Sequence, residues 1–233
     1  MKVLFLHGFG ESDDIAPFST RGLGGALKEA GIDMSILRGF NKLTKAEMGP
    51  IVDPEYRQMC EAGDMDAYSW YPLVKGVDGG HRAKPAKDFE FRAAPKSMDE
   101  AASKLAAHIN KIGGVDALVG FSQGGELSYL MAEHLSLLDA TARPKLKFIA
   151  TYGAEDCFLQ RGKAPASISS DLNFYISLGS KDDDAVCDSK TMYQTLLTAG
   201  AGSVKVNVNE GLGHNMPADI PMYKEMIELL KSA

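Results

Sequence analysis

The chain has 233 residues, is 45% hydrophobic and carries a formal net charge of -6 with its basic residues dispersed. That balance argues against nucleic acid or an anionic membrane surface as a partner, and no apolar run approaches the roughly 18 residues that a bilayer span requires. Three widely spaced cysteines, Cys60, Cys157 and Cys187, point to reduced thiols in a cytoplasmic setting rather than to a disulfide frame or a zinc site.

In chain order, residues 2–6 read as a buried strand, and 7–12 as a loop. The four-residue apolar run at the start is too short for a signal peptide, and cleavage there would remove part of a sheet. A helix is predicted over 18–30 and a strand over 34–37. Over 39–97 the periodicity fades while Gly, Pro, Asp and aromatic residues accumulate, and so long a segment suggests a cap or pocket wall. Its Tyr68, Trp70, Tyr71, Phe89 and Phe91 either line an acyl-binding cleft or pack the segment onto the body. Helical periodicity returns over 98–111, followed by a strand over 115–119. Leu127, Leu130, Met131, His134, Leu135 and Leu138 then recur at helical spacing. Strands follow at 148–151, 173–178 and 204–209, with helices at 191–199 and 220–231. Strands alternating with helices specify a mostly parallel sheet covered on both faces, an α/β fold. With no linker or internal repeat, 1–233 reads as one domain burying roughly 70 to 75% of its unfolded surface.

Gly120-Phe121-Ser122-Gln123-Gly124 stands between the strand at 115–119 and the helix after it. With 24 glycines and 17 serines in the chain, Gly-x-Ser-x-Gly arises by chance in roughly 0.2 of such sequences, so the flanking elements carry the reading. A strand-turn-helix elbow exposes a nucleophilic serine, and glycines flank it because side chains there would collide with neighbouring backbone. A serine hydroxyl is a poor nucleophile without a base, and the base needs an orienting carboxylate. His214, on the glycine-rich loop after the strand at 204–209, is the candidate base. His108 and His134 fall in helical patterns and His81 in a polar loop. Asp182, Asp183 and Asp184 follow the strand at 173–178; any of them could supply the carboxylate, and at least two are solvated turn residues. A calcium loop is disfavoured, since the EF-hand glycine and terminal glutamate are missing. The oxyanion donors are expected from the backbone N–H groups of Phe9 and Gln123, with His7 a structural residue of that loop. Gly8-x-Gly10 fails as a dinucleotide fingerprint because Asp13 occupies the third glycine position.

The combination Leu-His-Gly-Phe-Gly-Glu-Ser at the N-terminus, Gly-Phe-Ser-Gln-Gly-Gly in the middle and Gly-x-Gly-His-x-x-Pro near the end resembles the FSH group (family of serine hydrolases). The resemblance spans about 1 to 230 and implies a compact α/β-hydrolase fold, in which 39–97 would be a small cap-like insertion, and carboxylesterase or thioesterase activity. Acyl-protein thioesterases and lysophospholipases share the serine and histidine motifs. Carried over by position, the triad falls on Ser122, Asp182 and His214. Counting three residues from the strand glycine selects Asp182, whereas counting back from the valine selects Asp183. Asp182 is preferred, because distance from the strand end determines where a carboxylate emerges.

The expected reaction is acyl transfer from a small-molecule ester or thioester to water, requiring neither metal nor organic cofactor. Gly8, Trp70, Tyr71 and Phe158 are candidate pocket residues, with Leu159 beside Phe158. A noncatalytic ligand-binding protein on the same fold is the alternative. A nucleotide-binding protein lacks its phosphate loop here. Acyl length and oligomeric state are not encoded in any pattern of the chain.

Overall fold

The computed structural model describes residues 1–48, 54–75, 91–93 and 95–233. Phe89 and His81 lie outside the described residues, as do the side chains of Phe91, Leu159, Asp183 and Cys187.

The chain opens with β1 (Lys2–Leu6), α1 (Ala16–Ser19), α2 (Arg21–Glu29) and β2 (Asp33–Leu37). The helix expected over 18–30 is interrupted at Thr20, whose N–H and hydroxyl both bond to Ala16 O at 2.9 and 2.6 Å while its own carbonyl accepts from Gly24 N. Thr20 therefore closes one helix and opens the next.

The segment at 39–97 contributes short elements: β3 (Asn41–Lys42), α3 (Lys45–Met48), α4 (Pro54–Ala62), β4 (Tyr68–Ser69), β5 (Leu73–Lys75) and β6 (Phe91–Ala93). Its strands form two antiparallel pairs, β3 with β4 and β5 with β6, separate from the main sheet. This is the small cap-like insertion of the fold.

Next come α5 (Pro95–Lys111), β7 (Ala117–Phe121), α6 (Gln123–Leu130), β8 (Phe148–Tyr152), α7 (Cys157–Arg161), β9 (Asn173–Gly179), α8 (Asp183–Thr198), β10 (Ser203–Asn209) and α9 (Lys224–Ser232). Two expectations are corrected here. The helix after the elbow ends at Leu130 rather than running through Leu138, because its bonds tighten to the i→i−3 pattern at Ala132, Glu133 and His134. Gln123, Gly124, Gly125 and Leu127 to Leu130 are all buried, so α6 has no solvent face and the apolar spacing beyond it misled. Conversely, α8 starts at Asp183, eight residues before the helix expected from 191. Asp183 and Asp184 are its first two residues, and acidic residues are among those that helix N-termini favour.

The main sheet has six strands in the order β10-β9-β8-β7-β1-β2, every neighbouring pair parallel. Strand residues alternate between two cores, as the two-residue pleat requires. Val3, Phe5, Ala117 and Val119 pack with α2 and α9, whereas Leu4, Leu6 and Leu118 pack with α5 and α6. Sequence-adjacent connections leave β1 toward β2 and β7 toward β8, so β1 and β7 flank the point where the winding reverses. In open α/β sheets the crevice beyond the carboxyl ends of such strands is where ligands bind. Among the described residues no helix is long and apolar enough to cross a membrane.

Candidate active site

Ser122 stands between β7 and α6 with φ 50° and ψ -124°, the one non-glycine residue with positive φ among those described. Such a conformation costs of order 1–3 kcal/mol and persists only where surrounding contacts impose it. Here they are dense. Ser122 N donates to Tyr152 O at 2.8 Å, extending the β7–β8 ladder, and Ser122 O accepts from Glu126 N, beginning α6. A Cβ on Gly120 would lie 2.3 Å from Gly124 O, and one on Gly124 would lie 2.2 Å from Leu6 O and 2.5 Å from His7 O. The two motif glycines thus let β7, α6 and the end of β1 approach within backbone contact.

His214 reaches the serine from the loop after β10. Its Nε2 lies 3.0 Å from Ser122 Oγ and its Nδ1 2.8 Å from Asp182 Oδ2. A carboxylate only accepts, so Nδ1 carries the proton and Nε2 presents a lone pair to the serine hydroxyl. Asp182 is 6% exposed and the His214 side chain 50% exposed. The imidazole is therefore anchored at its buried edge and open at the edge that meets Ser122. Phe121 packs against it with the rings tilted, at 5.1 Å between ring centres. Gly153, at φ +57°, lies under the pair, since a Cβ there would be 3.2 Å from Asp182 Oδ2 and 3.3 Å from His214 Nδ1.

Two loops must be held together for that pair to form. Asn209, buried at the end of β10, donates to Ser177 Oγ at 2.8 Å and Leu178 O at 3.1 Å. Lys181 N donates to Leu212 O and Ser180 N to Asn209 O, while Gly211 N donates to Ser180 Oγ. Gly179 permits the contact, because a Cβ there would sit 2.1 Å from Leu212 O. Asp182 precedes α8 but makes no side-chain cap bond to it; one of its carboxylate oxygens is directed at His214.

The third approach is the loop after β1. His7 is fully buried, donates from Nδ1 to Gly8 O at 2.8 Å and accepts at Nε2 from Gly39 N at 3.0 Å. Burial pushes its pKa down to about 4, so the ring is a neutral clamp. Gly8 N donates to Glu11 Oε2 and Gly10 N to Tyr68 O. Among the described residues neither Phe9 N–H, on the loop after β1, nor Gln123 N–H, directly after Ser122, has an acceptor. Burial raises the Glu11 carboxyl, partly offset by its bond from Gly8 and by the nearby His214.

The candidate pocket aromatics are deeply enclosed. Trp70 is 1%, Tyr71 0% and Phe158 2% exposed, so none opens to solvent at the site mouth. Phe158 packs edge-on against Tyr129 at 4.7 Å. Gly8 faces Phe121 and Glu11, its added Cβ meeting Phe121 Cδ1 at 3.0 Å. Tyr68 is half-buried under the Arg38 guanidinium at 5.3 Å. Cys157 is buried and its thiol is pushed well up by that burial. Among the described residues no group of three or more His, Cys, Asp or Glu is arranged to hold a metal ion.

Sequence reasoning treated Gln123 as a backbone donor and missed its side chain, which bonds to the backbone of Trp70 and Tyr71. It also missed Asn209, Gly153 and Glu11. A buried polar residue at a strand end was the available signal for Asn209; the partners of the others are remote in sequence.

A six-stranded parallel sheet with helices on both faces, a small insertion and a strained serine at the strand-helix elbow define an α/β-hydrolase. The chain belongs to the serine hydrolase (FSH1) family, whose model matches residues 1–222. Among solved structures it is similar to Arabidopsis thaliana SOBER1, with TM-score 0.59 and 18% identity over 100% of this chain and 98% of that one. Esterase PE8 gives TM-score 0.63 at 19% identity over 100% and 92% of the two chains. Zea mays acyl-protein thioesterase 2 gives 0.62 at 14% identity over 99% and 92%. At these identities the likeness establishes the fold. No match was found among curated proteins.

Proposed function

We propose that this hydrolase cleaves carboxylic esters or thioesters through Ser122, His214 and Asp182. The carrying observation is the continuous relay from Ser122 Oγ through His214 to Asp182, with contacts of 3.0 and 2.8 Å. His214 Nε2 takes the hydroxyl proton as Ser122 Oγ attacks the acyl carbon, and the N–H groups of Phe9 and Gln123 stabilise the oxyanion. The imidazolium, paired with Asp182, returns its proton to the departing alkoxide or thiolate as the carbon–heteroatom bond breaks. Water, deprotonated by His214, then attacks the acyl-serine; Ser122 leaves reprotonated and the carboxylic acid is released. Apart from that water, the proton transfers run through His214 alone.

Asp182 is favoured as the acid by its own bond to the histidine. Trp70, Tyr71 and Phe158 serve this reading as supports behind the site, and the small insertion as the wall that sets acyl length. Ester and thioester carbonyls suit the same machinery. The esterase and thioesterase names of similar structures make both classes the first to assay, with acetyl to palmitoyl esters alongside acyl thioesters.

Intact-mass spectrometry with a fluorophosphonate should show one adduct on Ser122, lost in Ser122→Ala. A folded protein that forms no adduct and turns over no p-nitrophenyl ester would be a noncatalytic binder instead. Asn substitutions separate the carboxylates: loss of turnover only in Asp183→Asn would overturn the Asp182 assignment.

A further inference from the structure

The segment 68–71 touches both sides of the oxyanion site at once. On the elbow side, the Gln123 side chain is buried and both of its polar atoms are used: Oε1 accepts from Trp70 N at 2.9 Å and Nε2 donates to Tyr71 O at 3.0 Å. Tyr71 adds a phenol–carboxylate bond to Glu126, one turn further along α6. On the loop side, the Trp70 indole donates to His7 O at 2.7 Å and packs, tilted, against the His7 ring at 4.9 Å. Tyr68 exchanges bonds with Gly10 N and Glu11 O, both 2.9 Å. The elbow and the loop after β1 are therefore bolted to one short piece of chain.

The geometry points to the Gln123 side chain and the Trp70 indole as positioning residues, forming a bracket that sets the spacing between the Phe9 and Gln123 backbone N–H groups. The inference rests on the serine hydrolase reading above. Its physical basis is that 70–71 lies outside the main sheet, so its buried N–H and C=O need partners from elsewhere. A side-chain amide supplies both with one rigid group. Because Gln123 also carries one of the N–H groups in question, any slip of the bracket is felt directly at that donor. The indole then transmits the same constraint to His7, two residues from Phe9. Preorganised donors act on charge that develops in the transition state, so misplacing one lowers turnover more than ground-state binding.

The test uses Trp70→Phe, which keeps an aromatic ring and removes the indole N–H, and Gln123→Ala, with p-nitrophenyl butyrate as substrate. Each variant should lose about 10- to 100-fold in kcat with KM within about threefold. Inhibition by an alkyl trifluoromethyl ketone, whose hemiketal oxygen occupies the oxyanion position, should weaken by the same factor as kcat/KM. Amide hydrogen exchange should accelerate in peptides covering residues 7–11 while those of β8 and β9 stay unchanged. Variants that fold and keep kcat within twofold, or lose kcat while ketone affinity is retained, would overturn the bracket. If wild-type protein neither turns over esters nor labels at Ser122, the hydrolase reading fails. The exchange experiment still decides the bracket: unchanged exchange at 7–11 in Trp70→Phe overturns it.

Discussion

The two halves of the site are built by different physics. Ser122 is held by backbone sterics: Gly120 and Gly124 are in contact with carbonyl oxygens, and the strained φ has no room to relax. His214 and Asp182 are held by polar bonds between two loops, centred on Asn209 and Ser180, and the imidazole is half exposed. A substitution near the nucleophile should therefore be read first as a change in the fold. On the side of His214 and Asp182, the same size of change should report on the chemistry proposed for them.

The largest effect expected is that of Asp182→Asn. It preserves shape but reverses the favoured tautomer of His214, so kcat should fall about 10³- to 10⁴-fold. Because the loops keep their other bonds, the thermal midpoint should move little. A large drop in midpoint by calorimetry would break the contrast between the halves. Gly124→Ala should do the opposite. Its methyl group would have to displace Leu6 O from 2.2 Å, at a cost on the order of 4 kcal/mol or more, visible as a strongly lowered midpoint or no folded protein.

His7 gives a pH test on the nucleophile side. Its pKa is about 4 in the fold, against 6.5 for the free ring, so between those values the unfolded chain binds more protons. Stability should rise with pH across that window and be lost as pH falls through it, by about 3 kcal/mol in total from this group. Urea unfolding of wild type and His7→Gln from pH 4 to 7 isolates the contribution. Parallel curves would show that His7 does not titrate as its burial demands. The smallest effect is assigned to Asn209→Ala, which frees one carbonyl and one hydroxyl at the end of β9 and the Asn207 amide on β10. A loss of about 1–2 kcal/mol with a modest fall in kcat is expected. A kcat as low as that of Asp182→Asn, at unchanged stability, would mean that Asn209 does more than join the loops.

How much was legible from sequence follows the same division. The elbow, its flanking strand and the glycine-rich loop that carries His214 could be read because local patterns encode them. The parallel sheet followed from alternation of strands and helices. Where reading failed, a residue's role depended on burial geometry. The apolar spacing from Leu127 to Leu138 suggested one long helix, but a helix buried on every side has no stripe to read, and α6 stops at Leu130. The aspartates at 182–184 read as a turn, yet acidic residues are also what a helix N-terminus selects, and α8 begins there.

By itself, the amino-acid sequence determined that a serine would stand on a strained elbow between β7 and α6. Glycine spacing and hydrophobic period are local quantities, readable along the chain. Only the tertiary structure decided which atoms meet it. Asp182 reaching His214, Gln123 gripping the backbone of Trp70, and the indole resting on His7 O join residues 32, 53 and 63 positions apart. Such contacts are selected by packing of the whole chain, because each buried polar group must find a partner wherever the fold happens to place one.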